Sequence, residues 1–171
     1  GERFVIHPYA IQRLLPENAT QKRIAPTQFI IHTAVDAPGD TALWLYFGRT
    51  DVGVESHFYI ARTGVLIQMI DTNVRADANY LANDRAISVE IEDDGNPDSP
   101  MNAAQLRTLI DLARWVRDAH GIPAVVAPAW DKPGFGYHTL FPQWTNVSGK
   151  TCAKGRADSL SWSRKRHSIM S

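Results

Sequence analysis

Between Ala103 and Ala119 the chain sets Leu106, Leu109, Ile110, Ala113 and Val116 on one face at helical spacing. Asn102 with Gln105 three residues later resembles a capping box, and Gly121 followed by Pro123 closes the element. An apolar stripe of this kind must be buried against a second layer. The rest of the chain supplies strands for that layer. Phe29-Ile30-Ile31-His32-Thr33-Ala34 is a short run rich in β-branched residues and reads as a buried strand. Ser56 to Ala61 and Val65 to Asp71 read as a hairpin around the turn Arg62-Thr63-Gly64. Ala86-Ile87-Ser88-Val89-Glu90-Ile91-Glu92 alternates apolar and polar residues, the period of a half-buried strand. Strands interleaved with helices give an α/β class, with a single mixed central β-sheet flanked by helices.

The segments between these elements are read from their breakers. Pro8, Pro16 and Pro26 interrupt residues 1–26, which are expected to be an irregular arm. Ala37-Pro38-Gly39-Asp40 is a turn, and Asp40 caps a short helix through about Phe47. From Ala127 to Ser148 the chain is rich in Gly, Pro and aromatic residues, the composition of a shaped loop that carries a site.

Size and charge narrow the classes of function. The 171 residues fit one domain, and 44% hydrophobic content is enough for a proper core. The 18 basic and 18 acidic side chains balance, which favours neither nucleic acid nor an anionic membrane as partner. No apolar run approaches the roughly 18 to 20 residues of a membrane span, and Gly1-Glu2-Arg3-Phe4-Val5 does not read as a signal peptide. The single cysteine, Cys152, excludes an intrachain disulfide.

Three side chains stand out chemically: His32 at the end of a buried strand, His138 in a Gly-rich loop, and Cys152. Two imidazoles and one thiolate give Zn²⁺ three protein ligands and leave its fourth tetrahedral position to water. Such an ion lowers the pKa of its water towards neutrality and polarises a carbonyl. The three are not in a compact motif. Taken singly, each histidine reads as structural or surface sooner than as metal-bound, and a lone cysteine is usually a small buried hydrophobe.

The local context adds a resemblance. Phe29 to Ala34 resembles the apolar-apolar-His-Thr-Ala block of the type 2 N-acetylmuramoyl-L-alanine amidases, whose fold is shared by peptidoglycan recognition proteins and phage amidase lysins. Ser56-His57-Phe58-Tyr59-Ile60-Ala61-Arg62-Thr63-Gly64, leading into Leu66-Ile67-Gln68-Met69, is similar to the family's next block. Ala86 to Glu92, Gly136-Tyr137-His138 and Lys150-Thr151-Cys152 follow in the family's order, so that the likeness covers about residues 27 to 152.

The resemblance implies a function and a site. The implied reaction is zinc-dependent cleavage of the amide bond between N-acetylmuramic acid and the first L-alanine of the peptidoglycan stem peptide. His32, His138 and Cys152 match the metal ligands, and Lys150 matches the family's motif lysine, a fixed cation that suits an oxyanion. Glu90 matches the carboxylate that activates water; Glu92 shares its face under period-two alternation, and pattern alone does not separate them. Trp44, Asn79, Tyr80 and Asn83 are expected to touch substrate, and Phe47, Trp130, Phe135 and Trp144 either line the same groove or belong to the core. Residues 27–155 would then be the catalytic domain and 156–171 a basic tail. The expected protein is a monomer, acting on the bacterial cell wall after synthesis in a host cytoplasm.

Two departures bear on the chemistry. Phage and animal relatives often place a catalytic Tyr just before the His of the hairpin strand, where this chain has Ser56. Tyr59 faces the opposite side of the strand from Ser56 and is a poor substitute, so that the acid–base role falls to Glu90, with His57 a packing residue or a support behind the ligands. After Cys152 the chain reads Ala153-Lys154-Gly155 where relatives commonly have Pro-Gly. Two rival functions remain from other classes: a non-catalytic peptidoglycan-binding recognition module, and a peptidase with Cys152 as nucleophile and His138 as base.

Overall fold

The computed structural model describes residues 5–34, 56–92 and 101–145. Six strands form one sheet: β1 (Ile11–Gln12), β2 (Gln28–Ala34), β3 (Phe58–Ile60), β4 (Leu66–Gln68), β5 (Ala86–Glu92) and β6 (Gly134–Tyr137). They lie in the order β1-β4-β3-β5-β2-β6. Among the described strands only the β3–β4 hairpin pairs antiparallel and the other four pairings are parallel, so the sheet is mixed as expected.

β2 and β5 are the spine. They pair without a break from Gln28↔Ala86 to Ala34↔Glu92. Their β-branched content suits a pleated surface packed from both sides. β5 departs from the half-buried expectation: Ser88 is completely buried, and only Glu90 and Glu92 on its polar face reach partial exposure. A central parallel strand has layers on both faces, and this overrides the alternation in its sequence.

One layer is the helix α2 (Ala103–His120), which packs Leu109, Leu112, Ala113 and Val116 on Phe29, Ile31, Phe58, Ile60, Ile87, Val89 and Ile91. Its capping box is present, with the Asn102 side chain accepting from the Gln105 amide at 2.8 Å. Gln105 is itself buried and donates from Nε2 to the Glu92 carbonyl at 2.8 Å, tying the helix start to the end of β5. The buried stripe is rotated from the expected one. Leu112 lies inside, whereas Leu106 and Ile110 stay half-buried at its margin.

The opposite face is covered by loops. Ile30 and Ala86 meet Ala82, Ala127 and Trp144, while Tyr59 and Ile67 meet Leu15, Met69, Ile70 and Val74. Residues 5–26 belong to this arrangement: β1 extends the sheet, the single turn α1 (Glu17–Thr20) follows, and the Leu15 amide donates to the Met69 carbonyl at 2.9 Å.

β6 lies inside the stretch read from sequence as loop. Its glycines mask a strand because the space around it excludes side chains. Gly134 has φ +146°, and a Cβ there would stand 2.7 Å from the Val125 carbonyl oxygen; at Gly136 a Cβ would run into the Trp144 ring. Trp144 is fully buried and Phe135 nearly so, which makes both of them core rather than groove. The expected helix from Asp40 to Phe47 lies outside the described residues. No helix among the described residues is long and apolar enough to cross a membrane.

Candidate active site

The site grows from register. His32 on β2 is paired with Glu90 on β5, and neighbours in register on parallel strands project from the same face. That face is the one covered by loops, opposite α2. On the other side of β2, the register with β6 runs to Ile31↔Tyr137, and the His138 amide donates to the Ile31 carbonyl at 3.0 Å. The bond holds the chain against β2 for one residue beyond β6. It brings the rings of His32 and His138 to 4.2 Å between centroids at 36°. Glu90, His32 and His138 thus come from three adjacent strands near the carboxyl ends of β5, β2 and β6.

His32 is 3% exposed, with Nδ1 at 3.5 Å from Glu90 Oε1 and Nε2 at 2.7 Å from Asn79 Oδ1. Burial holds its pKa well below the ordinary imidazole range; His138 pushes it further down, and the bond to Asn79 opposes the shift. The ring is therefore neutral near pH 7, the form in which an imidazole offers a lone pair to a metal. Two side-by-side imidazoles, one of them held neutral, with a carboxylate beside them, fit a zinc ion by donor chemistry. Among the described residues no three His, Cys, Asp or Glu side chains gather as a metal cluster, and the third expected ligand, Cys152, lies outside the described residues with Lys150 and Trp44.

The two candidate carboxylates occupy different surroundings. Glu92 accepts from the Arg62 amide at 2.7 Å, closing the hairpin turn, whereas Glu90 stands beside His32. Tyr80 is 49% exposed, but Asn79 and Asn83 are buried. Asn83 Oδ1 accepts from the Asn79 backbone amide at 2.6 Å, bracing the loop from which the Asn79 side chain reaches His32. His57 is completely buried; its Nε2–H donates to the Val74 carbonyl at 2.8 Å and its Nδ1 accepts from the Ser88 amide at 3.1 Å. Desolvation pushes its pKa down to about 4.

Two neighbours of the site carry no compact signal in sequence. Tyr59 is in register with Glu90 across β3 and β5, on the same face. Knowing that β3 pairs parallel with β5 would have placed it there. Asn79 reaches His32 from 47 residues away, and nothing in its local sequence announces that partner.

A mixed sheet with two imidazoles and a glutamate at the ends of its central parallel strands defines an amidase-type α/β domain. The sequence pattern of the N-acetylmuramoyl-L-alanine amidases matches residues 18–154, and the chain belongs to that family. Among solved structures, the chain is similar to the hydrolase AmiA of Staphylococcus aureus in complex with its ligand, with a TM-score of 0.68 and 14% identity over 97% of this chain and 83% of that one. It is also similar to the endolysin N-acetylmuramoyl-L-alanine amidase LysCS from Clostridium intestinale URNW, with a TM-score of 0.61 and 16% identity over 82% and 85%. PlyL matches with a TM-score of 0.62 and 20% identity over 95% and 97%. At these identities the likeness is one of fold. No curated protein sequence matches the chain.

Proposed function

We propose that the protein is a zinc-dependent peptidoglycan hydrolase that cleaves the amide bond between N-acetylmuramic acid and the L-alanine of the stem peptide. One observation carries the reading: His32 and His138 lie ring beside ring, with Glu90 3.5 Å from His32 Nδ1, at one end of the sheet. Residues 27–155 are the catalytic domain in this reading and 156–171 a basic tail. His32 and His138 hold the metal with Cys152, which is assigned on the Lys150-Thr151-Cys152 block. A zinc ion so held supplies a water of near-neutral pKa and a Lewis acid for the scissile carbonyl.

The protein's own groups do the remainder. Glu90 takes a proton from the attacking water and hands it to the departing alanine nitrogen, so that one carboxylate acts first as base and then as acid. Its partial exposure keeps it reachable from solvent while β5 fixes its position. Lys150 sets a positive charge beside the tetrahedral oxyanion. Tyr80, exposed next to the site, and Trp44 offer aromatic faces to sugar and peptide. The substrate is bacterial peptidoglycan, and the site of action is the cell wall.

Mass spectrometry of digested muropeptides tests the reaction. The expected products are intact stem peptides with free L-alanine amino termini; new reducing sugar ends would overturn the reading. Metal analysis tests the cofactor, with about one zinc per chain expected. A metal-free protein that remains active and is inactivated by alkylation of Cys152 would place it among cysteine peptidases instead.

A further inference from the structure

Asn79 is fully buried, and its Oδ1 lies 2.7 Å from His32 Nε2. A carbonyl oxygen only accepts, so the ring nitrogen facing it must carry the proton. A neutral imidazole has one N–H, and the other nitrogen then keeps its lone pair. Nδ1 is the nitrogen on the Glu90 side, and its 3.5 Å separation from Oε1 is too long for a hydrogen bond that would compete for that proton. We infer that Asn79 is a positioning residue that fixes His32 as the Nε2–H tautomer and leaves Nδ1 as the metal-binding nitrogen. The inference rests on the zinc-amidase reading only for its second half; the tautomer stands on the hydrogen bond.

The loop around Asn79 is built for this role. Tyr80, the next residue, is the one non-glycine residue with positive φ among the described residues, at +50°. The left-handed turn sends Tyr80 and Leu81 outward, 49% and 53% exposed, while Asn79, Ala82 and Asn83 turn inward. A conformation this unfavourable for a tyrosine persists only where its surroundings impose it. Here a chain of polar contacts does so. Asn83 Oδ1 accepts from the Asn79 amide, Asn83 Nδ2 donates to Asp77 Oδ1 at 3.3 Å, and Asp77 is held by Gln21 Nε2 and Arg75 Nη1, each at 2.7 Å. Asn79 Nδ2 is buried and has no hydrogen-bond partner among the described residues, and its Oδ1 faces His32.

Imidazole ¹⁵N NMR of the full chain at neutral pH, before and after chelation, reads the tautomer directly. The expected wild-type spectrum has His32 protonated at Nε2 and bare or metal-bound at Nδ1. The Asn79→Ala protein should lose this fixed state and bind zinc roughly 10- to 100-fold more weakly in chelator competition. Asn79→Asp, whose carboxylate accepts from the same N–H, should restore both. A wild-type His32 protonated at Nδ1, or an Asn79→Ala protein with unchanged tautomer and zinc affinity, overturns the inference. If the wild type shows the Nε2–H tautomer but binds no zinc, and Asn79→Ala still releases that tautomer, the positioning role holds and the metal reading fails.

Discussion

Glu90 and His32 are register partners on adjacent parallel strands, with Oε1 of one 3.5 Å from Nδ1 of the other. The pairing is set by backbone hydrogen bonds along seven residues of β2 and β5, not by a loop, so it is rigid. A proton-transfer group gains most from such fixity, because a fraction of an ångström changes its reach.

Replacing Glu90 by Gln keeps the shape and removes the carboxylate proposed as the base. Muropeptide hydrolysis should fall about 10²- to 10⁴-fold in kcat while zinc content and thermal stability stay at wild-type values. Hydrolysis within a few-fold of wild type would remove Glu90 from the reaction. Glu92→Gln is the companion variant. Its carboxylate caps the hairpin turn at the Arg62 amide, so it should lower stability slightly and leave kcat alone.

Metal removal gives a readout apart from activity. His32 and His138 meet only in the folded chain, so on the proposed reading zinc at a hundredfold excess over its Kd should add about 2.7 kcal/mol to stability. Thermal melts with and without chelator measure this. In His138→Ala the zinc-dependent rise should vanish while the metal-free melt stays near that of the wild type. A rise that survives the substitution would place the ion elsewhere.

The sheet's spine and its helix were legible because their periods are strong. Phe29 to Ala34 and Ala86 to Glu92 carry β-branched runs, and Asn102, Gln105 and Gly121 mark the helix ends. β6 was not, because glycine at 134 and 136 is dictated by neighbours distant in sequence, namely Val125, Ala127 and Trp144. The same holds at the site. Alternation put Glu90 and Glu92 on one face but could not say which one met His32, which only the β2–β5 register shows. Tyr59 was set aside on within-strand alternation, whereas its position beside Glu90 is a fact of β3 pairing parallel with β5.

Gly136 has a testable role in that packing. Trp144 closes over it, fully buried, with Nε1 donating to the Trp130 carbonyl at 2.8 Å. The ring therefore has little freedom to retreat. Gly136→Ala should destabilise the protein by about 1–3 kcal/mol in urea unfolding, the range for overpacking a core. Because His138 lies two residues further on, hydrolysis should drop as well. Adding Trp144→Leu to Gly136→Ala should recover part of the loss that Gly136→Ala causes on its own. Strict additivity of the two substitutions would show that the ring and the glycine do not interact.

The buried His57 gives the last prediction, a pH dependence of stability. Its pKa is pushed from 6.5 down to about 4, chiefly by desolvation. The folded state thus refuses a proton that the unfolded chain accepts below pH 6.5. The contribution is present in full above pH 6.5 and is lost as the pH falls from there towards 4. At 1.36 kcal/mol per pKa unit, the loss from this residue is roughly 3 kcal/mol. His57→Gln preserves a donor for the Val74 carbonyl and an acceptor for the Ser88 amide without a titrating ring. The variant should be the less stable protein at pH 7, and the gap to wild type should narrow as the pH falls to 4. Urea unfolding at a series of pH values measures that gap. Parallel stability curves would show that His57 is as readily protonated in the folded protein as in the unfolded chain.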